Sequence, residues 1–251
     1  MPIYFRTECQ SLCGSGNWFS CGVVTVHGAR MLRCSPDCTG RRPPGLLPSL
    51  VAARPALGAY FAEMAQLEAA SIEAFRLLRD ELAHHRAPRG LVRAAERAIR
   101  DEIRHTRLTL ALARRHGGEF RPPVVTKVPL RSLEAIAMDN AVEGCVRETF
   151  GALVATYQSR AAMDPSIRAV MKRIARDETR HAALAHDIDR WVRGRLDRAT
   201  RARVEAARWA ATEALLASED EPSFADRRTL GLPTRTEAQH LLHAMTTALA
   251  A

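Results

Sequence analysis

One motif is written twice in this chain. Asp101-Glu102-x-Arg104-His105 lies in "IRDEIRHTRLTL", and Asp177-Glu178-x-Arg180-His181 lies in "ARDETRHAALAH". Both stand in Arg- and Ala-rich runs that read as helix. Each copy also has an earlier companion. "LEAASIEAF" from Leu67 aligns with "VEGCVRETF" from Val142, setting Glu68 on Glu143, Glu73 on Glu148 and Phe75 on Phe150. Glu68 stands 34 residues before Glu102, and Glu143 stands 35 before Glu178. A repeat of this length predicts a duplicated pair of helices.

Composition supports an all-α reading. Hydrophobic residues make up 47% of the 251, mostly Ala and Leu, and only 5% are aromatic, which favours helix over strand. Helices are predicted from about Pro55 to Arg86, then to about His116 before "GG", then from a Ser132 cap to near Met163. A fourth starts at Asp164-Pro165 and runs to about Arg193, a fifth covers roughly 198–217, and a short helix closes the chain. The long Pro-rich stretch "EFRPPVVTKVPLRS" joins the two hairpins, which predicts a four-helix bundle with a long crossover and extra C-terminal helices. Three regions follow: an irregular Cys-, Gly- and Pro-rich segment over 1–50, the bundle over 51–197, and a helical extension over 198–251.

The chemistry comes from spacing. Residues three apart on a helix share a face one turn apart, so E-x-x-H aims a carboxylate and an imidazole at one point. A lone E-x-x-H is common on solvated helix faces. Two of them, each with a glutamate on a preceding helix, give the four-carboxylate, two-imidazole set of bundle-core di-iron or di-manganese sites. Without cations, four carboxylates inside a bundle repel one another and are desolvated.

On these residues the chain resembles the ferritin-like superfamily of di-iron carboxylate proteins, over about residues 55–195. The D-E-x-R-H form is similar to that of bacterial multicomponent monooxygenase hydroxylases. The "EGCVRET" and "SIEAF" surroundings resemble small bacterial ferritin-like domain-containing proteins. The resemblance implies Glu68, Glu102 and His105 around one iron and Glu143, Glu178 and His181 around the other, with manganese as the alternative metal. Radical-storing relatives carry a tyrosine one turn after the motif histidine. Thr109 and Ala185 stand there in this chain, which disfavours a stored radical.

Asp101 and Asp177 are expected to receive the second ring N–H of the histidine of the opposite hairpin, with Arg104 and Arg180 pairing with them. Plain surface salt bridges are the competing reading. Glu73 and Glu148 stand five residues past their companions, ~140° around an α-helix and off the metal face. A π-bulge could bring Glu148 back as an added ligand or proton carrier. Gly144, beside Glu143, is open to two readings: close helix packing, or room for dioxygen or a substrate. His186 reads as a packed or surface histidine.

Five cysteines (Cys9, Cys13, Cys21, Cys34 and Cys38) fall in the N-terminal segment. Zinc binding by Cys9, Cys13, Cys34 and Cys38, and disulfides, are both open, with loosely ordered chain preferred. Net charge is +9, yet nearly all of it is arginine spread along helices, with only Lys127 and Lys172 as lysines, so nucleic acid is not the expected partner. No apolar run is long enough to span a membrane, and no basic start followed by an apolar region marks a leader, so a cytoplasmic protein is expected, with export as the alternative. A homodimer is compatible with this reading.

The expected function is a non-haem di-iron oxidoreductase that activates dioxygen to oxidise or hydroxylate an organic substrate, with an unspecified electron donor. The alternatives are iron binding or ferroxidase chemistry, and rubrerythrin-like peroxide reduction. Every expected ligand lies beyond Ser49, so a chain starting there is expected to fold and hold both ions.

Overall fold

A computed structural model describes the backbone of residues 20–26, 29–35, 40–47, 56–216 and 224–250. Within them the architecture is helical, apart from one small hairpin. Strands β1 (Ser20–Val26) and β2 (Ala29–Ser35) pair antiparallel, with Cys21 opposite Cys34 in register. The reading of this stretch as irregular is corrected to that extent. "VVTV" is a β-branched run suited to a strand, and the apolar Met31 and Leu32 stand opposite Val24 and Val23 in the pairing. Cys9, Cys13 and Cys38 lie outside the described residues.

Helix α1 (Ala56–His84) and helix α2 (Arg89–Arg115) pack along each other as a hairpin. Arg86, at φ 56°, turns the chain between them, and Gly117 at φ 72° follows the end of α2, where a Cβ-free residue fits best. After the crossover, Ser132 caps α3 (Leu133–Asp139) by accepting from the Ala135 N–H at 3.2 Å. The helix does not continue as α. Asn140–Glu148 is a nine-residue π-helical segment, after which α4 (Thr149–Ala161) resumes the α pattern. Asp164 accepts from the Ser166 N–H at 2.7 Å, with Pro165 in the first turn of α5 (Pro165–Arg193). Helix α6 (Arg198–Leu216) covers the π segment and α3. Two further helices, α7 (Phe224–Leu230) and α8 (Arg235–Ala250), stand where one short helix was predicted, and both rest on α4.

Helix α4 packs along α5, and α5 also contacts α2 and the π segment. Two apolar clusters fill the interior. One contains Phe75, Leu78, Leu82, Ile99, Ile136, Leu184 and Ile188. The other contains Phe61, Met64, Leu112, Ala155, Ile167, Met171 and Ile174. On α1, α2 and α5, the residues between the two clusters are Glu68, Glu102–His105 and Glu178–His181. The site is therefore a polar layer with apolar layers on both sides, a position that limits water and raises the cost of any unpaired charge. No helix among the described residues is long and apolar enough to cross a membrane.

Candidate metal centre

Helices α1, α2 and α5 bring Glu68, Glu102, His105, Glu178 and His181 together. One ligand atom from each of Glu68, Glu102, His105 and Glu178 falls within 4.8 Å of the others, and all four residues are buried. Glu102 and Glu178 are shared between the imidazoles. Their Oε1 atoms lie 3.1 and 3.2 Å from His181 Nδ1, and 3.8 and 3.4 Å from His105 Nδ1. Glu68 Oε2 is 3.5 Å from His105 Nδ1. The helix spacing explains this convergence: each E-x-x-H pair occupies one face of its helix, and the hairpins turn those faces to one another.

The opposite edge of each imidazole meets an aspartate from the other hairpin. His105 Nε2 lies 3.3 Å from Asp177 Oδ2, and His181 Nε2 lies 3.5 Å from Asp101 Oδ2. Beyond them is a closed ring of charge. Arg104 donates to both aspartates, at 2.8 Å to Asp177. Arg180 does the same, at 2.7 Å to Asp177 and 3.0 Å to Asp101. The arginines reach solvent while the aspartates are buried. One aspartate therefore faces a buried histidine on one side and a partly exposed arginine on the other, and the orienting and salt-bridge readings are two sides of one arrangement. Burial opposes ionisation of Asp101, but the His181 imidazole 3.5 Å away and hydrogen bonds from Arg180 and Arg104 outweigh it and bring its carboxyl down to about 2. Asp177 is shifted the same way by His105 and the same two arginines.

Glu143 is not part of this cluster. Its carboxylate sits 3.2 Å from Arg147 and accepts the Arg42 N–H at 3.2 Å. Glu148 is the buried glutamate of this helix, within electrostatic reach of His181 and Glu178. The π register brings Glu148 round to the interior, while Arg147 and the Arg42 N–H hold Glu143 at the rim. Residues five apart, on different faces of an α-helix, fall on nearly the same face when the bonds run i→i+5. Glu73, at the matching place on the regular helix α1, is exposed and pairs with Arg76. The "EGCVRE" sequence alone does not announce the π turn. The signal available in it was Glu148 itself, a second glutamate at an otherwise unexplained spacing.

Gly144 is resolved by packing. A Cβ there would stand 2.6 Å from Ala185 Cβ, 2.8 Å from Asn140 Oδ1 and 3.0 Å from Arg41 Nη1, so the missing side chain leaves no free space for a substrate. Asn140 donates to the Ala185 carbonyl at 2.8 Å, tying the π segment to α5. Burial pushes the Cys145 thiol up to about 12, which leaves it a neutral packing group. His186 lies 3.2 Å from the Thr149 hydroxyl. Thr109 donates to the His105 carbonyl at 2.8 Å.

The buried groups fit a cation. All eight side-chain oxygens of Glu68, Glu102, Glu148 and Glu178 are buried without a hydrogen-bond partner, as is Nδ1 of both histidines. A buried carboxylate without a hydrogen-bond partner costs several kcal/mol, and only Glu148 of these four has a guanidinium within ion-pair distance among the described residues, so this set needs either protons or metal ions. Burial and the neighbouring Glu68 carboxylate hold Glu102 well above the usual range, and burial raises Glu148 to about 7 against the pull of Arg41. Burial works against a charged imidazolium, yet Asp177, Glu178 and Glu68 outweigh it and hold His105 well above its ordinary value. Glu178, Asp101 and Glu102 do the same for His181. The cluster thus attracts positive charge wherever it can find it. It could hold a metal ion and is compatible with a di-iron site. Comparison with known proteins finds no matching family model, no matching curated protein and no matching solved structure.

Proposed function

We propose that this chain is a dinuclear non-haem metal oxidoreductase of the ferritin-like kind, with iron as the metal and manganese as the alternative. The observation that supports it is the buried set of unpartnered carboxylate oxygens converging with two imidazole nitrogens between two apolar layers. Glu68 and His105 would hold one ion, Glu148 and His181 would hold the other, and Glu102 and Glu178, which face both imidazoles, would serve both. A pair of iron ions would supply the electrons that reduce dioxygen, which the protein side chains cannot supply. Asp177, 3.3 Å from His105 Nε2, and Asp101, 3.5 Å from His181 Nε2, would orient the two imidazoles so that each Nδ1 is left for a metal ion. The apolar clusters exclude water from the layer.

Oxidation of an organic substrate is the leading reading. Iron oxidation without one is the second, and it is favoured by the close packing at Gly144, which removes one candidate space beside the site. Anaerobic loading with saturating Fe(II), metal analysis, and stopped-flow mixing with dioxygen test the proposal. Two ions per chain and rapid oxidation are expected, and one ion or none at saturation would overturn it. Oxygen uptake that rises with an added organic compound separates the first reading from the second.

A further inference from the structure

The segment 40–47 lies before every expected ligand, yet it reaches the site. Gly40, at φ 107°, runs so close to α1 that a Cβ would stand 2.8 Å from Ser71 Oγ, and Ser71 donates to the Arg41 carbonyl at 2.9 Å. Farther along, Leu46 bridges to Val125, and the Thr126 N–H donates to the Gly45 carbonyl at 2.9 Å. Held at both ends, the strap sends Arg41 into the interior, where it is 2% exposed. Its guanidinium donates to Asp139 at 2.8 Å and to Asn140 Oδ1 at 3.3 Å, and it stands 3.8 Å from Glu148 Oε2. Arg131, itself clamped by Glu81 at 2.7 and 2.9 Å, holds the other oxygen of Asp139 at 3.3 Å.

The charges of the two halves therefore differ. Among the described residues, Glu68 faces only His105 as a cationic side chain within ion-pair distance. On the other side Glu143 has Arg147, and Glu148 has a buried arginine, a group that keeps its charge in proteins. Glu102 and Glu178 are shared. Resting on the dinuclear reading above, we propose that Arg41 is a positioning residue that acts as a resident cation of the Glu148–His181 half. It holds Glu148 in place and weakens the second metal ion relative to the first. The first divalent ion goes to Glu68, Glu102, His105 and Glu178, where no guanidinium among the described residues lies within ion-pair distance of the carboxylates. The second approaches a half whose added carboxylate is already paired, and repulsion between buried like charges is poorly screened.

The test is anaerobic calorimetric titration of the full chain with Fe(II), checked by metal analysis, for wild type, Arg41→Lys, Arg41→Gln and Arg41→Met. Wild type is expected to show two steps separated by at least about tenfold in affinity. Arg41→Lys keeps the charge and keeps the gap. Arg41→Gln and Arg41→Met, two neutral side chains of different polarity, strengthen the second step by at least about tenfold and leave the first within about twofold. Asp139 retains Arg131 in all three variants, which limits the loss of stability. Two ions of one affinity in wild type overturn the proposal whether or not the neutral variants fold. A neutral variant that lowers the melting temperature but keeps the gap makes Arg41 a structural staple and also overturns it. No ion bound by wild type at saturating Fe(II) removes the metal reading and this proposal together.

Discussion

On α1, Glu68 is fully buried while Glu73, five residues later, has a side chain 46% exposed beside Arg76. On the π segment the order inverts: Glu148 is 1% exposed, and Glu143, at 12%, pairs with Arg147. The two stretches align residue for residue, so side-chain spacing alone does not decide which glutamate faces the interior. The hydrogen-bond register decides whether the second glutamate can share the first one's face, and on the π segment Arg147 and the Arg42 N–H hold Glu143 at the rim. With α spacing the second glutamate turns ~140° away from the first, whereas an i→i+5 register returns it to nearly the same face. The local cause is visible around the segment. Gly144 lets the backbone approach Ala185, Asn140 bonds to the Ala185 carbonyl, and Thr149 donates back to the Gly144 carbonyl at 3.4 Å.

The largest expected effect falls where the halves do not differ. Glu102 and Glu178 face both imidazoles, so neither half can do without them. Glu102→Gln or Glu178→Gln should weaken Fe(II) binding by more than about 100-fold, since even outer partners of a metal ligand carry about 10–100-fold. Affinity within threefold of wild type in both variants would show that the shared pair does not hold metal.

Next comes the inversion itself. Glu68→Gln and Glu148→Gln should each weaken one binding step by at least about tenfold, while Glu73→Gln and Glu143→Gln should stay within about threefold. A large loss in Glu143→Gln with none in Glu148→Gln would restore the α register and cancel the comparison drawn above.

These pairs also show what the sequence could tell. The duplicated hairpin, the two E-x-x-H faces and the cap residues Ser132 and Asp164 depend on spacing and local chemistry, which are written along the chain. Asp101 and Asp177 were legible because they adjoin the motif. The deeper burial of Glu148 than of Glu143 was not, because a π register arises from how a helix meets its neighbours. Arg41 was not legible either: "GRRPPGLLP" reads as an exit from a Pro-rich segment, and only tertiary placement puts it against Asp139. The expectation that a chain starting near Ser49 would keep a complete site therefore omits a buried contact.

A pH series should follow. Glu148, pushed up to about 7 by burial, binds its proton more tightly when folded, so its ionisation removes stability as pH rises from about 4.5 to 7. The raised histidines add stability below about 6.5 and lose it as pH climbs through their folded values. Asp101, brought down to about 2, acts oppositely: its contribution is present above about 4 and fades toward 2. The melting temperature of the metal-free protein should therefore peak between about pH 4 and 6 and fall towards pH 8, with saturating metal flattening the alkaline side. A metal-free melting temperature that rises from pH 6 to 8 would contradict this account.

The smallest effects belong to the neighbours of the first glutamates, Ala69 and Gly144, which are equivalent in the repeat but not in their surroundings. Gly144→Ala inserts a methyl 2.6 Å from Ala185 Cβ and against Arg41, and overpacking of that kind costs about 1–3 kcal/mol. Ala69→Gly, on the regular helix, should cost about 0.5–1 kcal/mol through backbone entropy alone. Both should bind two ions at saturation, because neither touches a carboxylate. Denaturant melts of the two variants, read beside their metal content, separate the causes. If Gly144→Ala is as stable as wild type yet slows reaction with dioxygen, the position is an access route and the packing explanation of the π segment fails. If it is less stable with unchanged oxidation, the glycine is there for the close approach of α5, and the two halves differ because only one of them must make room for that contact.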